Sequence, residues 1–166
     1  MTTGNIQSFA SASGKIKIET TTGAIRVEGL SADSVELSAT TGMISLAAVH
    51  CNDLKFGVST GRSTLNDVSC KTLFSDGPTG DVSMNSVIVE QKLTVERSTG
   101  DIHFDACDAG ELFVKTSTGD VTGSLLTEKI FITHTSTGRI NLPPTRGGGQ
   151  CNITTSTGDI IINLED

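Results

Sequence analysis

A threonine-glycine step returns nine times along the chain, at Gly4, Gly23, Gly42, Gly61, Gly80, Gly100, Gly119, Gly138 and Gly158. The intervals are 19, 19, 19, 19, 20, 19, 19 and 20 residues. A period held over so long a run belongs to stacked structural units, each too small to bury an apolar face alone. Helical repeats run from about 33 residues upward, and the apolar residues flanking each glycine alternate with period two, as strands require. The chain therefore reads as all-β, a coil of single strands with one turn per repeat and about nine turns.

The alternation assigns the faces. Two residues after the glycine stand Ile6, Ile25, Ile44, Ser63, Val82, Ile102, Val121, Ile140 and Ile160. Four after it stand Ser8, Val27, Leu46, Leu65, Met84, Phe104, Gly123, Leu142 and Ile162. Both columns point inward, as do those seven residues before the glycine (Ile16, Val35, Leu54, Leu73, Leu93, Leu112, Phe131, Cys151) and five before it (Ile18, Leu37, Phe56, Ser75, Val95, Val114, Thr133, Ile153). Leu30, Val49, Val68, Val87, Cys107 and Leu126 form a further inward column, so each coil has roughly three sides. Ser63 is the one polar intrusion in the best-filled half, Gly14 to Leu73. The third position after the glycine faces water, and Ile161 breaks that pattern at what the sequence order makes the open end. Glycine suits a corner with positive φ or no room for a Cβ, and the preceding hydroxyls can bond backbone groups freed by the bend.

The repeat phase is unbroken, so residues 1–166 read as one domain. Strands of successive coils stack about 4.8 Å apart, giving a rod on the order of 40 Å long. Met1 to Ser13, with only Ile6 and Phe9 as large apolar groups besides Met1, reads as a frayed end coil. Ser75-Asp76-Gly77-Pro78 predicts a kink or protruding turn, because proline cannot donate to a central ladder. The extra residues of the longer repeats fall near Val87–Lys92 and Pro143–Gly149, on one side of the coil, as bulges or loops.

The charge is −7, from 12 basic against 19 acidic residues without a basic cluster. That argues against nucleic acid or an anionic membrane as partner. No apolar run of about 18 residues is present to span a membrane. No C-x-x-C pair marks a zinc site. Cys107 and Cys151 fall on inward columns, whereas Cys51 and Cys70 occupy the same point of adjacent coils, within reach of a disulfide.

Little in the sequence carries catalytic chemistry. His50, His103 and His134 occupy three different points of the coil, and no nucleophile, metalloprotease or paired-carboxylate motif stands out. The triple glycine Gly147-Gly148-Gly149 is not followed by the lysine of a phosphate loop. No catalytic residue, cofactor or cofactor-binding residue is assigned. The position after the glycine reads Arg62, Asp81, Asp101, Asp120, Arg139 along five repeats, a charge ladder in which the aspartates are turn residues or a weak divalent-cation site. Six residues before the glycine, on an outward column, Phe74, Phe113 and Ile132 are candidates for a partner face or for self-association.

The repeated S-T-G-D-[IV]-x-[LVF] pattern, from Gly4 to Leu164, resembles the bacterial adhesin-like domains of unknown function called toastrack domains. The resemblance implies a single-stranded, right-handed parallel β-helix displayed outside the bacterial membrane behind an N-terminal membrane segment. The sequence would then be part of a longer envelope protein. It carries over no catalytic residues. The expected function is a non-catalytic, rigid interaction or scaffold module of the cell envelope with a protein or glycan partner. Two alternatives are a carbohydrate-active β-helix enzyme, recognisable by a deep carboxylate-lined groove, and an ice-binding solenoid using the pairs Thr20/Thr22, Thr116/Thr118, Thr135/Thr137 and Thr155/Thr157.

Overall fold

A computed structural model describes residues 6–8 and 14–165. Twelve strands join one sheet: β1 (Ile6–Ser8), β2 (Lys15–Glu28), β3 (Ser34–His50), β4 (Asp53–Thr79), β5 (Val82–Asn85), β6 (Ile88–Thr99), β7 (Ile102–Thr118), β8 (Val121–Leu125), β9 (Lys129–Thr137), β10 (Ile140–Asn141), β11 (Gly149–Thr157) and β12 (Ile160–Leu164). Every ladder is parallel, and the sheet winds into a β-solenoid of about eight turns. β1 adds part of another turn, with Ile6, Gln7 and Ser8 in register with Ile25, Arg26 and Val27. The reading of Met1 to Ser13 as an end coil otherwise lies outside the described residues.

Long strands such as β3 pass straight through the glycine corner. Gly23, Gly42, Gly61, Gly80, Gly100, Gly119, Gly138 and Gly158 have φ between +131° and +149°, where a side chain is strained. A second corner, six residues on, places Gly29, Ala48, Asp67, Ser86 and Ala106 in the left-handed region. The hydroxyl two residues before the Thr-Gly threonine turns inward: Thr116 donates to the carbonyls of Gly100 and Thr118, and Thr155 to those of Gly119 and Thr157. These hydroxyls occupy carbonyls at the bend. Because Thr20, Thr116 and Thr155 are buried, the T-x-T pairs make no outward array of the kind ice binding needs.

The inward columns are largely as expected, with Ile25, Leu46, Phe56, Leu65, Leu93, Ile102 and Phe104 in one continuous core, but Ile140, in the end turn, is 45% exposed because no further turn covers it. Coil seven departs at its far corner, where the register shifts so that Leu125 pairs with Cys107; Leu125 is buried and Leu126 is left 43% exposed. The extra residue near Val87–Lys92 is a bulge between Val89 and Lys92, and its carbonyls leave no room for a Cβ on Gly110. The expected kink at Ser75–Pro78 is absent. β4 runs on to Thr79 in register with β6, because the position two before the glycine has no ladder partner in any of these turns; Thr21, Thr40 and Pro78 are all skipped. Proline there sacrifices no hydrogen bond.

The largest departure lies in the order of the turns. β12 pairs with β8 on one side and β10 on the other, and β11 lies between β7 and β9. The last turn in sequence is thus inserted between its two predecessors, and the turn of Lys129–Asn141 forms the end. Ile161 does not stand at an open end, since Thr122 and Asn141 flank it. Core composition favours this order. The inserted turn buries Cys151, Ile153, Ile160 and Ile162, all at most 1% exposed, whereas the end turn places Thr133 where Ile153 stands and leaves Ile140 45% exposed on a face covered on one side only. Fully burying each isoleucine is worth about 1.5–3 kcal/mol.

Glycines admit the inserted turn. A Cβ on Gly148 would stand 1.9 Å from the Glu128 carbonyl oxygen, and one on Gly149 would stand 1.8 Å from that of Gly110, whereas Gly147 is unobstructed. Gly149→Ala should therefore cost on the order of 3 kcal/mol or prevent folding, while Gly147→Ala stays within about 0.5 kcal/mol of the parent in denaturant melts. Equal effects would contradict the inserted turn. Ser63 occupies an isoleucine column and its buried hydroxyl has no hydrogen-bond partner. Ser63→Val should raise stability by about 1–2 kcal/mol, read as a higher melting midpoint with unchanged m-value.

Candidate interaction faces

Two outward faces carry the residues singled out from sequence. Just after the glycine corner, the inserted turn brings Asp159 next to Asp120, so the spatial order is Arg62, Asp81, Asp101, Asp120, Asp159, Arg139. Four aspartates, not three, stand between the arginines. Each Oδ1 accepts the backbone N–H of the next turn: Asp101 N–H donates to Asp81 (3.0 Å), Asp120 to Asp101 (2.9 Å), Asp159 to Asp120 (2.8 Å) and Arg139 to Asp159 (2.8 Å). The guanidinium groups close the ends, Arg62 3.5 Å from Asp81 and Arg139 3.4 Å from Asp159. The carboxylates thus satisfy N–H groups at the corner. Among the described residues no group of three or more His, Cys, Asp or Glu side chains is arranged to hold a metal ion.

On the strands preceding the corner, β4, β6, β7, β11 and β9 align Phe74, Thr94, Phe113, Asn152 and Ile132 in one outward column. The structure brings the three apolar candidates to one face, with Asn152 between Phe113 and Ile132. Phe74 is 37% and Ile132 48% exposed, and Phe113 is half-buried. Each ring carries a lysine: the Lys55 ammonium is 5.8 Å from the Phe74 centroid and that of Lys92 is 4.3 Å from Phe113. At this exposure such contacts contribute about 0.5–1 kcal/mol. The ring faces are shielded without being sealed.

The sequence reading missed two buried cations. Arg97 occupies the inward position three before the glycine, where Thr20, Ala39, Val58 and Gly77 stand in earlier turns, and is 5% exposed. Its guanidinium donates to Ser75 Oγ (2.7 Å) and the Glu96 carbonyl (3.2 Å). Gly77 makes the room, since a Cβ there would lie 2.7 Å from Nη1. Burial lowers the Arg97 pKa from its usual value, opposed by the Asp76 carboxylate. Extending the inward columns by one position would have revealed Ser75, Gly77 and Arg97 as one compensated unit. Lys129 is 3% exposed, with Nζ 2.7 Å from Asp108 Oδ1 and bonded to Thr127, where the chain steps over the slot that β11 fills. The histidines are exposed and scattered; His103 Nδ1 lies 3.1 Å from Thr122 Oγ1. Depressions beside Arg97, beside Lys129 and beside Met43 are shallow and open to solvent.

An all-parallel solenoid with a Thr-Gly corner in each turn, and no helix among the described residues, defines the class of the protein. The chain belongs to the Toastrack DUF4097 family, whose profile matches residues 2–163. No curated protein and no solved structure matches it significantly.

Asp101→Ala removes the acceptor for the Asp120 N–H and should cost about 0.5–1.5 kcal/mol in chemical melts. Asp101→Asn keeps an oxygen at that point and relieves like charge, so it should lose less. The reverse ranking would rule out the corner-bonding role.

Proposed function

We propose that this domain is a non-catalytic, rigid interaction module of the bacterial cell envelope, binding a protein or glycan along the face that carries Phe74, Phe113 and Ile132. The observation that supports this reading is a pair of partly exposed aromatic rings on a strand face whose other side chains are largely polar or charged. Aromatic faces supply most of the binding free energy at such surfaces, and a sheet already ordered by stacking loses little entropy when a partner docks. Lys55 and Lys92 are exposed side chains that can swing off the rings or bond a partner's oxygens. The envelope setting rests on the family resemblance, with membrane attachment through a segment outside this sequence. The same face would also support self-association.

The test is Phe74→Ser/Phe113→Ser against the parent, both applied to immobilised cell-wall polysaccharide and to a peptide display library, with sedimentation for self-association. Retention or association should fall at least tenfold while the melting temperature changes by less than about 2 °C, as for surface substitutions. Binding unchanged by the double substitution would exclude this face. A large fall in melting temperature would make both rings part of the core.

A further inference from the structure

Cys51 and Cys70 lie at the same point of adjacent turns, one residue beyond the in-register pair His50 and Ser69. The Cys51 N–H donates to the Ser69 carbonyl at 3.0 Å, which holds the two backbones at strand spacing there. That spacing, about 4.8 Å, falls within the Cα separation a disulfide accepts. Both cysteines are free thiols, and the two side chains interact directly. Cys70 is 4% exposed and packs in the core, whereas Cys51 is half-buried. A depression lined by His50, Asn52, Ser69 and Lys71 gives access from solvent. Cys107 and Cys151 have no such opening, both being fully buried.

We propose that Cys51 and Cys70 form a reactive dithiol, a modification site at which a low-molecular-weight disulfide such as oxidised glutathione installs a covalent link between neighbouring turns. The two thiols have different parts. The neighbouring Cys70 thiol lowers the Cys51 pKa against the opposing effects of burial and Asp53. The same contact, together with burial, raises the Cys70 pKa. Cys51 is thus the more acidic and the more accessible sulfur, the combination that makes a thiol the attacking nucleophile.

The Cys51 thiolate attacks one sulfur of oxidised glutathione. A Cys51–glutathione bond forms, the glutathione S–S bond breaks, and glutathione thiolate leaves with the electron pair. Cys70 then gives up its proton to solvent and attacks the Cys51 sulfur. The Cys51–Cys70 bond forms and the second glutathione thiolate leaves. Two protein thiols are oxidised and one glutathione disulfide is reduced to two glutathione thiols. Proximity makes the second step intramolecular, so the mixed disulfide is short-lived in the parent protein.

The experiment incubates the folded, fully reduced protein with oxidised glutathione at neutral pH, quenches with an alkylating reagent and maps peptides by mass spectrometry without reduction. Cys107→Ser/Cys151→Ser serves as background so that only the pair can react. The expected product is a monomer lacking two hydrogens, with the peptides of Cys51 and Cys70 linked. Cys70→Ser should stop with one glutathione on Cys51, and Cys51→Ser should leave Cys70 free for alkylation only after denaturation. Complete alkylation of both cysteines after the incubation would overturn the proposal, as would a stable glutathione adduct in the parent or cross-linking only between molecules. Should the background variants fail to fold, peptide mapping of the unsubstituted chain shows equally whether the pair is linked.

Discussion

The contact on which everything else depends is between the glycine corners of successive turns. A Cβ on Gly42 would lie 1.8 Å from the Gly23 carbonyl oxygen, one on Gly61 1.7 Å from that of Gly42, and one on Gly119 2.1 Å from that of Gly100. No side chain can enter that space, and the positive φ would strain one even if it could. The corners therefore nest at strand spacing, and β2, β3 and β4 run through theirs at Gly23, Gly42 and Gly61 without losing register. From this follow the alignment of identical positions into columns, the core they enclose, and the chain of aspartate-to-backbone bonds outside it. Replacing Gly42, Gly61 or Gly119 disturbs a contact shared by two turns.

Most of the polarity in this narrow core is met by partners that the geometry supplies. Thr116 and Thr155 reach carbonyls at the bend, and Ser75 is reached by the Arg97 guanidinium, which lies where Gly77 leaves space. Ser63 has no such neighbour. The contrast shows that a polar residue in an inward column is tolerated through its relation to the turn before or after it, so that serine, glycine and arginine at three positions of two turns constitute one structural choice.

The inward and outward columns are legible in the sequence because they depend on local alternation and a fixed period, both of which Ile25 through Phe104 display without ambiguity. The order of the last two turns is not. A repeating pattern stacks equally well on any copy of itself: Ile160 matches Val121 as readily as it matches Ile140, so periodicity is blind to permutation. The information lies in departures from the repeat, in Thr133 where most other turns carry an apolar side chain, and in Gly148 and Gly149, which have to pass the carbonyls of Glu128 and Gly110. The charge ladder and the apolar column are visible in the sequence as columns but with the wrong neighbours, since Asp159 and Asn152 enter from the inserted turn. Leu126 escapes a reading by period because a one-residue shift at a corner leaves no trace in the spacing of the glycines.

The inserted turn also sets the order in which the molecule can be completed. A chain emerging from the ribosome presents its first turns as a growing stack, yet the turn of Lys129–Asn141 is synthesised before the layer on which it rests. Until Gly149–Leu164 has been made, Leu112, Val114 and Val121 have no neighbour on that side, and the end turn has no seat. The Gly149–Leu164 turn acts as a keystone. A stop shortly before it removes an interior course and strands the one beyond it, so loss of this turn should be felt through two turns of the rod at once.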